Sequence, residues 1–330
     1  MTMGMAMGMA ADMSSAQAIP SGRSVRPAAH RQSLGEARML RYATTLFTIC
    51  LSAAPALADV TMSIPFVAEI GGKPFSCAEV YPLGTHQTEA GILDFRMFVA
   101  NAVLVTKDDE VVPIVLDADG AWQSGNVALL DFEDGSGHCA NGTPQTNTTL
   151  RGTVPEGDYK WLRFEVGVPF ELNHGDPTTA PSPLNMTAMF WNWRNGYKFI
   201  KLEASPTGMT DTAMTDAGEP DGHGSKAGDW FLHLGSTLCE SLAPIQSPGQ
   251  PCLNPNRVSV NLEGIDLGKS VVVVDPAPVL AATDIATNAP ETSPGCMSAP
   301  DDADCAAVLP RLGLPFGDAP AAEQVLVTLR

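Results

Sequence analysis

Two histidines and two tryptophans have the side-chain types and spacing that could build a metal site. Trp191 and Trp193 stand two residues apart in the most aromatic stretch of the chain, residues 185–199. In an extended strand this spacing projects both indoles from one face. His174 precedes the stretch, and His233 follows it in an apolar segment. We predict that the two imidazoles meet beside the indole pair.

Two imidazoles with few other ligands suit copper or zinc. Zinc would need an open position or a carboxylate, which Asp176 could provide. Copper(I) accepts two or three ligands, and Met186 or Met189 could add a thioether. Each side chain also has an ordinary role, as a locally hydrogen-bonded histidine or as a methionine filling the core. The metal interpretation is favoured by composition, because only five histidines follow residue 58.

Six cysteines follow residue 58, and this even number indicates three disulfides in an oxidising compartment. None of the spacings is C-x-x-C, so a zinc ribbon or a thioredoxin-like site is not expected. Sequence proximity suggests three pairs: Cys239 with Cys252, Cys296 with Cys305 and, by elimination, Cys77 with Cys139.

Residues 1–58 are predicted to be a leader that contains a secretory signal. A start at Met39, then Arg41, an apolar run over 44–54 and an Ala-Leu-Ala sequence ending at Ala58 match such a signal. The apolar run is too short to span a membrane, and no later segment approaches about 20 apolar residues. We therefore expect a periplasmic or secreted protein of residues 59–330 with no membrane span in the mature chain.

The charge of the chain excludes some partners. The formal net charge is −18, and the predicted leader is basic, so the mature chain is more acidic still. Such a surface repels nucleic acids and anionic membranes and attracts cations.

Alternation of apolar and polar residues predicts an all-β fold, an antiparallel β-sandwich or barrel-like single domain with long loops and disulfides. The best helix candidate is 302–312, which Pro310 would cut short. A loop insertion is predicted at 205–229, and a disulfide-tied C-terminal part at 281–330 begins with a polar surface loop over 281–304. Strands are predicted at 60–70, 93–99, 102–105, 111–116, 162–168, 197–202, 231–234, 258–262, 271–274 and 325–329.

Several blocks along the mature chain occur in an order that is typical of one family. The chain resembles the metallo-mystery pair system four-Cys motif proteins, which include the P protein of methanobactin operons. It departs from the four-Cys name in having six mature cysteines. The blocks are DFRMFV at 94–99, FEVGVPF at 164–170, LNH at 172–174, PLN at 183–185, MFWNW at 189–193, GYKF at 196–199 and HLGS at 233–236.

The resemblance implies a function and a site. It implies a periplasmic or surface copper-binding protein with copper at His174 and His233, and a partner similar to a di-haem cytochrome c peroxidase. That partner would oxidise Trp191 or Trp193 to kynurenine, and the resemblance leaves open which one. An indole nitrogen only donates, whereas the aniline nitrogen of kynurenine can bind a metal. The protein would then be a substrate of the partner rather than an enzyme. A copper importer or outer-membrane transporter is a further candidate partner.

Two other functions remain open at this point. A copper-dependent oxidase would use the metal for catalysis, but the sequence shows neither a general acid nor a second metal cluster for it. A non-catalytic sandwich that binds carbohydrate or protein through exposed aromatics would need no metal.

The 205–229 loop, with its methionines and His223, could supply an extra metal contact.

Overall fold

A computed structural model of the chain describes residues 58–207, 228–243 and 245–330, which belong to one compact unit. The predicted leader, apart from Ala58, lies outside the described residues, as do residues 208–227 of the predicted insertion with His223. Among the described helices, none is long and apolar enough to cross a membrane.

The described residues form sixteen strands, two short α-helices and three 3-10 helices. The helices are α1 Phe170–Asn173 and α2 Ala277–Leu280, and the 3-10 helices are Thr187–Met189, Ala303–Cys305 and Leu309–Leu312. The strands are β1 Asp59–Ile70, β2 Lys73–Pro74, β3 Val80–Leu83, β4 Thr88–Thr106, β5 Val111–Pro113, β6 Val115–Leu116, β7 Gln123–Ser124, β8 Val127–Asp131, β9 Thr149–Pro155, β10 Tyr159–Val166, β11 Phe190–Asn192, β12 Gly196–Pro206, β13 Trp230–Gly235, β14 Val258–Glu263, β15 Val272–Val274 and β16 Val327–Leu329.

The strands form two sheets, of six and ten strands. The smaller sheet has the order β16-β15-β1-β9-β6, with β2 paired to β1. In the larger sheet the main path is β11-β12-β4-β10-β14. Strand β4 also pairs with β3, β5 and β8, β7 pairs with β8, and β13 pairs with β12. The sheets pack face to face, as shown by the edge-on contact of Phe66 with Phe164 at 5.9 Å between ring centroids.

The prediction of an antiparallel all-β fold is confirmed. In β14, buried Val258, Val260 and Leu262 alternate with exposed neighbours, as a strand with one face on the core requires. One pair, β1 with β15, is parallel. The described strands form open sheets and do not close into a barrel.

The prediction of separate strands at 93–99 and 102–105 is wrong, because both belong to the 19-residue strand β4. The interruption is at Asn101, which has a φ of 53° and bulges out of the ladder without ending it. Asparagine tolerates this left-handed conformation better than most residues. Its side-chain amide donates to Oε2 of Glu165 on β10 at 2.8 Å. The bulge therefore shifts the register while the pairing continues.

Two other predicted elements are divided in the structure. Segment 111–116 forms β5 and β6, which pair with different sheets, so the chain crosses between layers at Ile114. Segment 302–312 forms two 3-10 helices instead of one helix, the second with Pro310 in its first turn and with Gly313 closing it at a φ of 79°. Pro310 lacks the N–H that a continuous helix would need at this position.

The three predicted disulfides are present: Cys77–Cys139, Cys239–Cys252 and Cys296–Cys305. A bridge of this kind typically stabilises a fold by about 2–4 kcal/mol. Backbone hydrogen bonds at Cys296 attach the C-terminal segment to the larger sheet, because its carbonyl accepts from the N–H of His233 at 3.0 Å and its N–H donates to the carbonyl of Phe231 at 2.8 Å.

Candidate metal centre

His233 is fixed in the middle of β13, at an edge of the larger sheet. Its backbone partner on β12 is Lys201. Its ring stacks on Phe231, two residues earlier on the same face, with 5.3 Å between centroids and 2° between planes. The side chain is 2% exposed. The strand thus holds the imidazole in one orientation within the protein interior.

The hydrogen bond from His233 to Glu203 determines which ring nitrogen carries the proton. Nε2 of His233 lies 2.8 Å from Oε1 of Glu203. An ionised carboxylate only accepts, so Nε2 carries the hydrogen and Nδ1 carries the lone pair. Nδ1 is buried and has no hydrogen-bond partner among the described residues. Burial lowers the pKa of His233 to about 4. The hydrogen bond that His233 donates to Glu203 acts in the opposite direction, and the charge of Lys198 lowers the pKa further. The imidazole is therefore neutral at neutral pH.

Glu203 is held in place by a buried network of charges. Burial raises its pKa, but hydrogen bonds and charges from His233 and Lys201 outweigh burial and lower the pKa to about 2. Lys201 Nζ lies 3.1 Å from Glu203 and 2.9 Å from Oδ2 of Asp94. Asp94 in turn accepts two hydrogen bonds from the guanidinium of Arg96. Because Lys201 lies between Glu203 and Asp94 and pairs with both, the carboxylate beside the histidine stays ionised.

Trp191 lies against His233, as the sequence predicted. The two ring centroids are 6.4 Å apart. The indole also lies directly over Gly235 at the end of β13, where a Cβ atom would overlap the six-membered ring. Glycine at this position therefore makes the room that the indole occupies.

The predicted indole pair is not formed. Strand β11 ends at Asn192, and Trp193 lies in the following turn, where its ring packs edge-on against Phe190 with 6.5 Å between centroids. Residues two apart share a face only while the chain stays extended, and here the strand ends between the two tryptophans.

His174 follows α1 and contacts the same hairpin through Trp193. Its Nδ1 lies 3.1 Å from the backbone carbonyl of Trp193, so Nδ1 donates and Nε2 carries the lone pair. Nε2 is 3.2 Å from the side-chain amide of Asn173 and 3.6 Å from Sγ of Cys252. Burial lowers the pKa of His174, with the Trp193 carbonyl acting in the opposite direction. Because this imidazole is buried, its neutral form is favoured at neutral pH.

Asn173 joins the two histidine-bearing segments. Its amide nitrogen donates to Oγ of Ser236, just after β13, and its amide oxygen accepts from the backbone N–H of Tyr197 at 2.8 Å. The loop of His174, the tryptophan hairpin and the end of the His233 strand are therefore bonded to one another. The predicted spatial grouping of these segments is present, whereas their binding of copper stays a prediction.

The other predicted ligands have local partners. Met189 is fully buried in the core, and the sulfur of Met186 accepts from Arg96 at 3.5 Å. Asp176 caps a turn by accepting from the backbone N–H and the hydroxyl of Thr178. These contacts are the ordinary roles considered for them from the sequence.

Glu203 and Gly235 were not among the residues predicted from the sequence to form the site. The available signal was the run Lys198 to Glu203, which places charged residues in a strand that is otherwise apolar. Buried charges need partners, so this run indicated an ion-pair network. Its connection to His233 depends on cross-strand register, which sequence periodicity does not contain.

Among the described residues, two groups of three side chains bring candidate metal-ligating atoms within 4.8 Å of one another. One comprises His174, Cys239 and Cys252, and the other Cys296, Asp302 and Cys305. In both groups the two sulfurs form a disulfide and are not free ligands in this state.

The structure defines a disulfide-bonded β-sandwich with a histidine–tryptophan cluster at one sheet edge. Comparisons with known proteins agree with this architecture. The family model MbnP matches residues 59–298, and the chain belongs to the MbnP family. The solved structure of MbnP from Methylosinus trichosporium is similar, with a TM-score of 0.70 and 28% identity over 83% of this chain and 99% of that one. A search of curated proteins found no match.

Proposed function

We propose that the protein binds copper in the methanobactin system, with His233 and His174 as ligands and Trp191 as the residue that is converted to kynurenine. Membership of the MbnP family supports a role connected with methanobactin and copper. The observation that carries the proposal is the bare, buried Nδ1 of His233 beside the Trp191 indole. A neutral imidazole nitrogen whose partner nitrogen is bonded to a carboxylate is a typical metal ligand.

The two imidazoles offer neutral donor nitrogens of the kind that copper binds. Both imidazoles are neutral and oriented by hydrogen bonds on their protonated nitrogens. At His174, the metal would take the place of the hydrogen bond from Asn173 to Nε2. The acidic chain, with a net charge of −18, favours a cation over an anionic ligand.

Contacts favour Trp191 over Trp193 as the modified residue. Trp191 packs against the ring of His233, so an aniline nitrogen formed there would lie next to that ligand. Trp193 instead supplies a backbone carbonyl to His174 and lines an open groove of about 860 Å³. In the proposal, a di-haem peroxidase-like partner supplies the oxidising equivalents. Two peroxide molecules convert one tryptophan to formylkynurenine and two waters, and hydrolysis then releases formate.

Mass spectrometry of the tryptic peptide 164–194, which contains both tryptophans, tests the modification. The protein is expressed with and without the haem partner, and copper content is measured on the same samples. We expect the peptide to gain one oxygen atom and lose one carbon atom only with the partner present, with fragmentation locating the change at Trp191. Trp191→Phe should abolish the gain, and Trp193→Phe should retain it.

Histidine variants test the ligands separately. His233→Ala and His174→Ala should each weaken copper binding by at least ~100-fold, more than the roughly 10–100-fold typical of losing an outer-shell partner. His86→Ala is the matched control, because this histidine is 72% exposed and remote in sequence from the cluster. Parent-like copper affinity in both ligand variants would refute the site.

A further inference from the structure

The disulfide Cys239–Cys252 lies against the unprotonated nitrogen of His174. Nε2 of His174 is 3.6 Å from Sγ of Cys252, and the imidazole nitrogen and both sulfurs lie within 4.8 Å of one another. Because Nδ1 is engaged by the Trp193 carbonyl, the lone pair of the ring is on the nitrogen nearest the sulfur. Three soft or borderline donor atoms are thus gathered at one point in the interior.

The loop closed by this disulfide also holds the histidine backbone. Ser247, within the loop, donates its hydroxyl to the carbonyl of His174 at 2.5 Å. Breaking the S–S bond would therefore leave the loop attached to His174 through Ser247. The three donor atoms would stay close together after reduction.

This disulfide is the most accessible of the three. Cys239 and Cys252 are 8% and 7% exposed, whereas Cys139 and Cys296 are fully buried. Two cavities flank it: Cys239 lines the open groove of about 860 Å³, and Cys252 lines another cavity of about 270 Å³. Thiol–disulfide exchange requires a reductant to reach a sulfur, so this bridge is the one a thiol reagent attacks first.

We propose that reduction of Cys239–Cys252 creates an alternative metal site, in which both cysteine sulfurs and Nε2 of His174 bind one copper(I) ion. Two thiolates and an imidazole suit copper(I), which accepts three ligands and prefers sulfur. This site shares Nε2 of His174 with the copper site proposed above, so that nitrogen serves one of the two sites at a time. Because the reduced site uses neither His233 nor Trp191, His233→Ala removes the first site and leaves this one.

The electrons come from a dithiol reductant. One reductant thiolate attacks a sulfur of the bridge to give a mixed disulfide, and the second reductant thiol displaces the cysteine. The S–S bond thus gains two electrons, the reductant ends as a disulfide, and its two protons pass to Cys239 and Cys252. Binding of copper(I) then releases those two protons as the thiolates coordinate the ion.

The disulfide Cys296–Cys305 provides a matched comparison within the same chain. Its third neighbour is Asp302, a carboxylate, which is a hard ligand that copper(I) does not favour. Both of its sulfurs are fully buried, and the carboxylate already accepts from the backbone N–H of Met297. We expect this bridge to resist mild reduction and to gain no copper(I) site.

The test begins with the unaltered mature protein, treated anaerobically with a limiting dithiol and then alkylated. Peptide mass analysis should show label on Cys239 and Cys252 before any other cysteine, and copper(I) added before the alkylating agent should block that label. Titration of His233→Ala, which lacks the first site, against a chromophoric copper(I) chelator should show one bound ion per chain after reduction and none before it. X-ray absorption at the copper edge should show sulfur ligands.

Further variants in the His233→Ala background test the ligands of the reduced site. Addition of His174→Gln should abolish the copper(I) ion that reduction creates. Addition of Cys239→Ser and Cys252→Ser should leave no ion gained on reduction, whereas addition of Cys296→Ser and Cys305→Ser should leave the gain of one ion intact. The inference is wrong if another bridge is labelled first, if reduction adds no copper(I) to His233→Ala, if the added His174→Gln leaves binding unchanged, or if equimolar zinc displaces the ion.

Discussion

Glu203 decides which nitrogen of His233 is available to a ligand. The carboxylate accepts from Nε2–H at 2.8 Å, and it is kept ionised by Lys201 on its other side. A carboxylate behind a metal-binding histidine both fixes the tautomer and makes the free nitrogen more basic. After the ligands themselves, Glu203 is therefore the side chain that matters most to the proposed site, although it would not contact the metal.

Glu203→Gln should allow His233 to adopt both of its neutral tautomers. A glutamine amide can accept from Nε2–H or donate to a bare Nε2, so both tautomers become accessible. Long-range nitrogen–proton NMR of the metal-free protein should show only the Nε2–H form in the parent and a mixture in the variant. Copper affinity should fall by about 10–100-fold.

Glu165→Gln is the control for that experiment. Glu165 lies in the same sheet and pairs with Arg257 at 3.0 Å, and no imidazole is among its hydrogen-bond partners. It should leave the His233 signals and copper affinity unchanged. A single Nε2–H form in Glu203→Gln would show that the strand, and not the carboxylate, selects the tautomer.

At the scale of elements, strand β13 and its neighbours position the side chains around His233. The strand aligns Phe231 with His233 on one face and ends at Gly235, where the Trp191 indole lies across the backbone. The hairpin that carries Trp191 pairs with β12, which is the strand next to β13. Three neighbouring strands therefore bring an aromatic ring, an imidazole and a carboxylate together.

Gly235→Ala should displace the Trp191 indole. The added Cβ would overlap the ring and lie 2.9 Å from the carbonyl of Tyr197, so side chain and backbone must both shift. Overpacking of this kind costs about 1–3 kcal/mol. We expect a lower melting temperature, altered tryptophan fluorescence and loss of modification at Trp191. Gly249→Ala is the control, because a Cβ there would meet nothing within 4 Å, and it should leave melting temperature, fluorescence and modification unchanged. An indole that stays in place in Gly235→Ala would contradict the packing argument.

Periodicity in the sequence predicted the sandwich because alternation is local to each strand. The clustering of aromatic residues and histidines, rather than periodicity, pointed to β13 and the hairpin as carriers of the candidate site. Periodicity could not show that β4 continues through Asn101, since a bulge changes register without changing composition. Nor could it place Cys252 beside His174, because residues 78 apart in sequence meet only through the order of strands in the sheet. Spacing gave the correct disulfide pairs because two of the bridges close short segments.

At the scale of the whole molecule, the buried network beneath the site contains more acid than it can pair. Arg96 contacts Asp94 closely, but its guanidinium is 3.6 Å from Glu133, whose two oxygens have no hydrogen-bond partner among the described residues. Burial, with repulsion from Asp94, raises the pKa of Glu133 to about 7. Burial likewise raises the pKa of Asp131 to about 8. In the folded protein both groups therefore keep their protons to a higher pH than exposed carboxylates do.

Glu133→Gln should therefore change how stability depends on pH. Between about 4.5, the ordinary pKa, and about 7, the folded protein holds a proton that the unfolded chain has lost, so stability falls as pH rises through this window. His233 acts in the opposite direction, because its pKa is lowered to about 4 and acidification below about 6.5 favours the unfolded chain. Glutamine stays neutral, so the variant lacks the Glu133 contribution alone.

The free energy of unfolding, measured by urea denaturation of both proteins at about pH 5 and about pH 8, isolates that contribution. Relative to the parent, Glu133→Gln should gain stability from the lower to the higher pH, by up to about 3 kcal/mol for a shift of this size. The comparison uses the change with pH, so a constant loss from the weakened Arg96 contact cancels. A difference between parent and variant that does not vary with pH would mean that Glu133 is ionised in the folded protein and that Arg96 neutralises it fully.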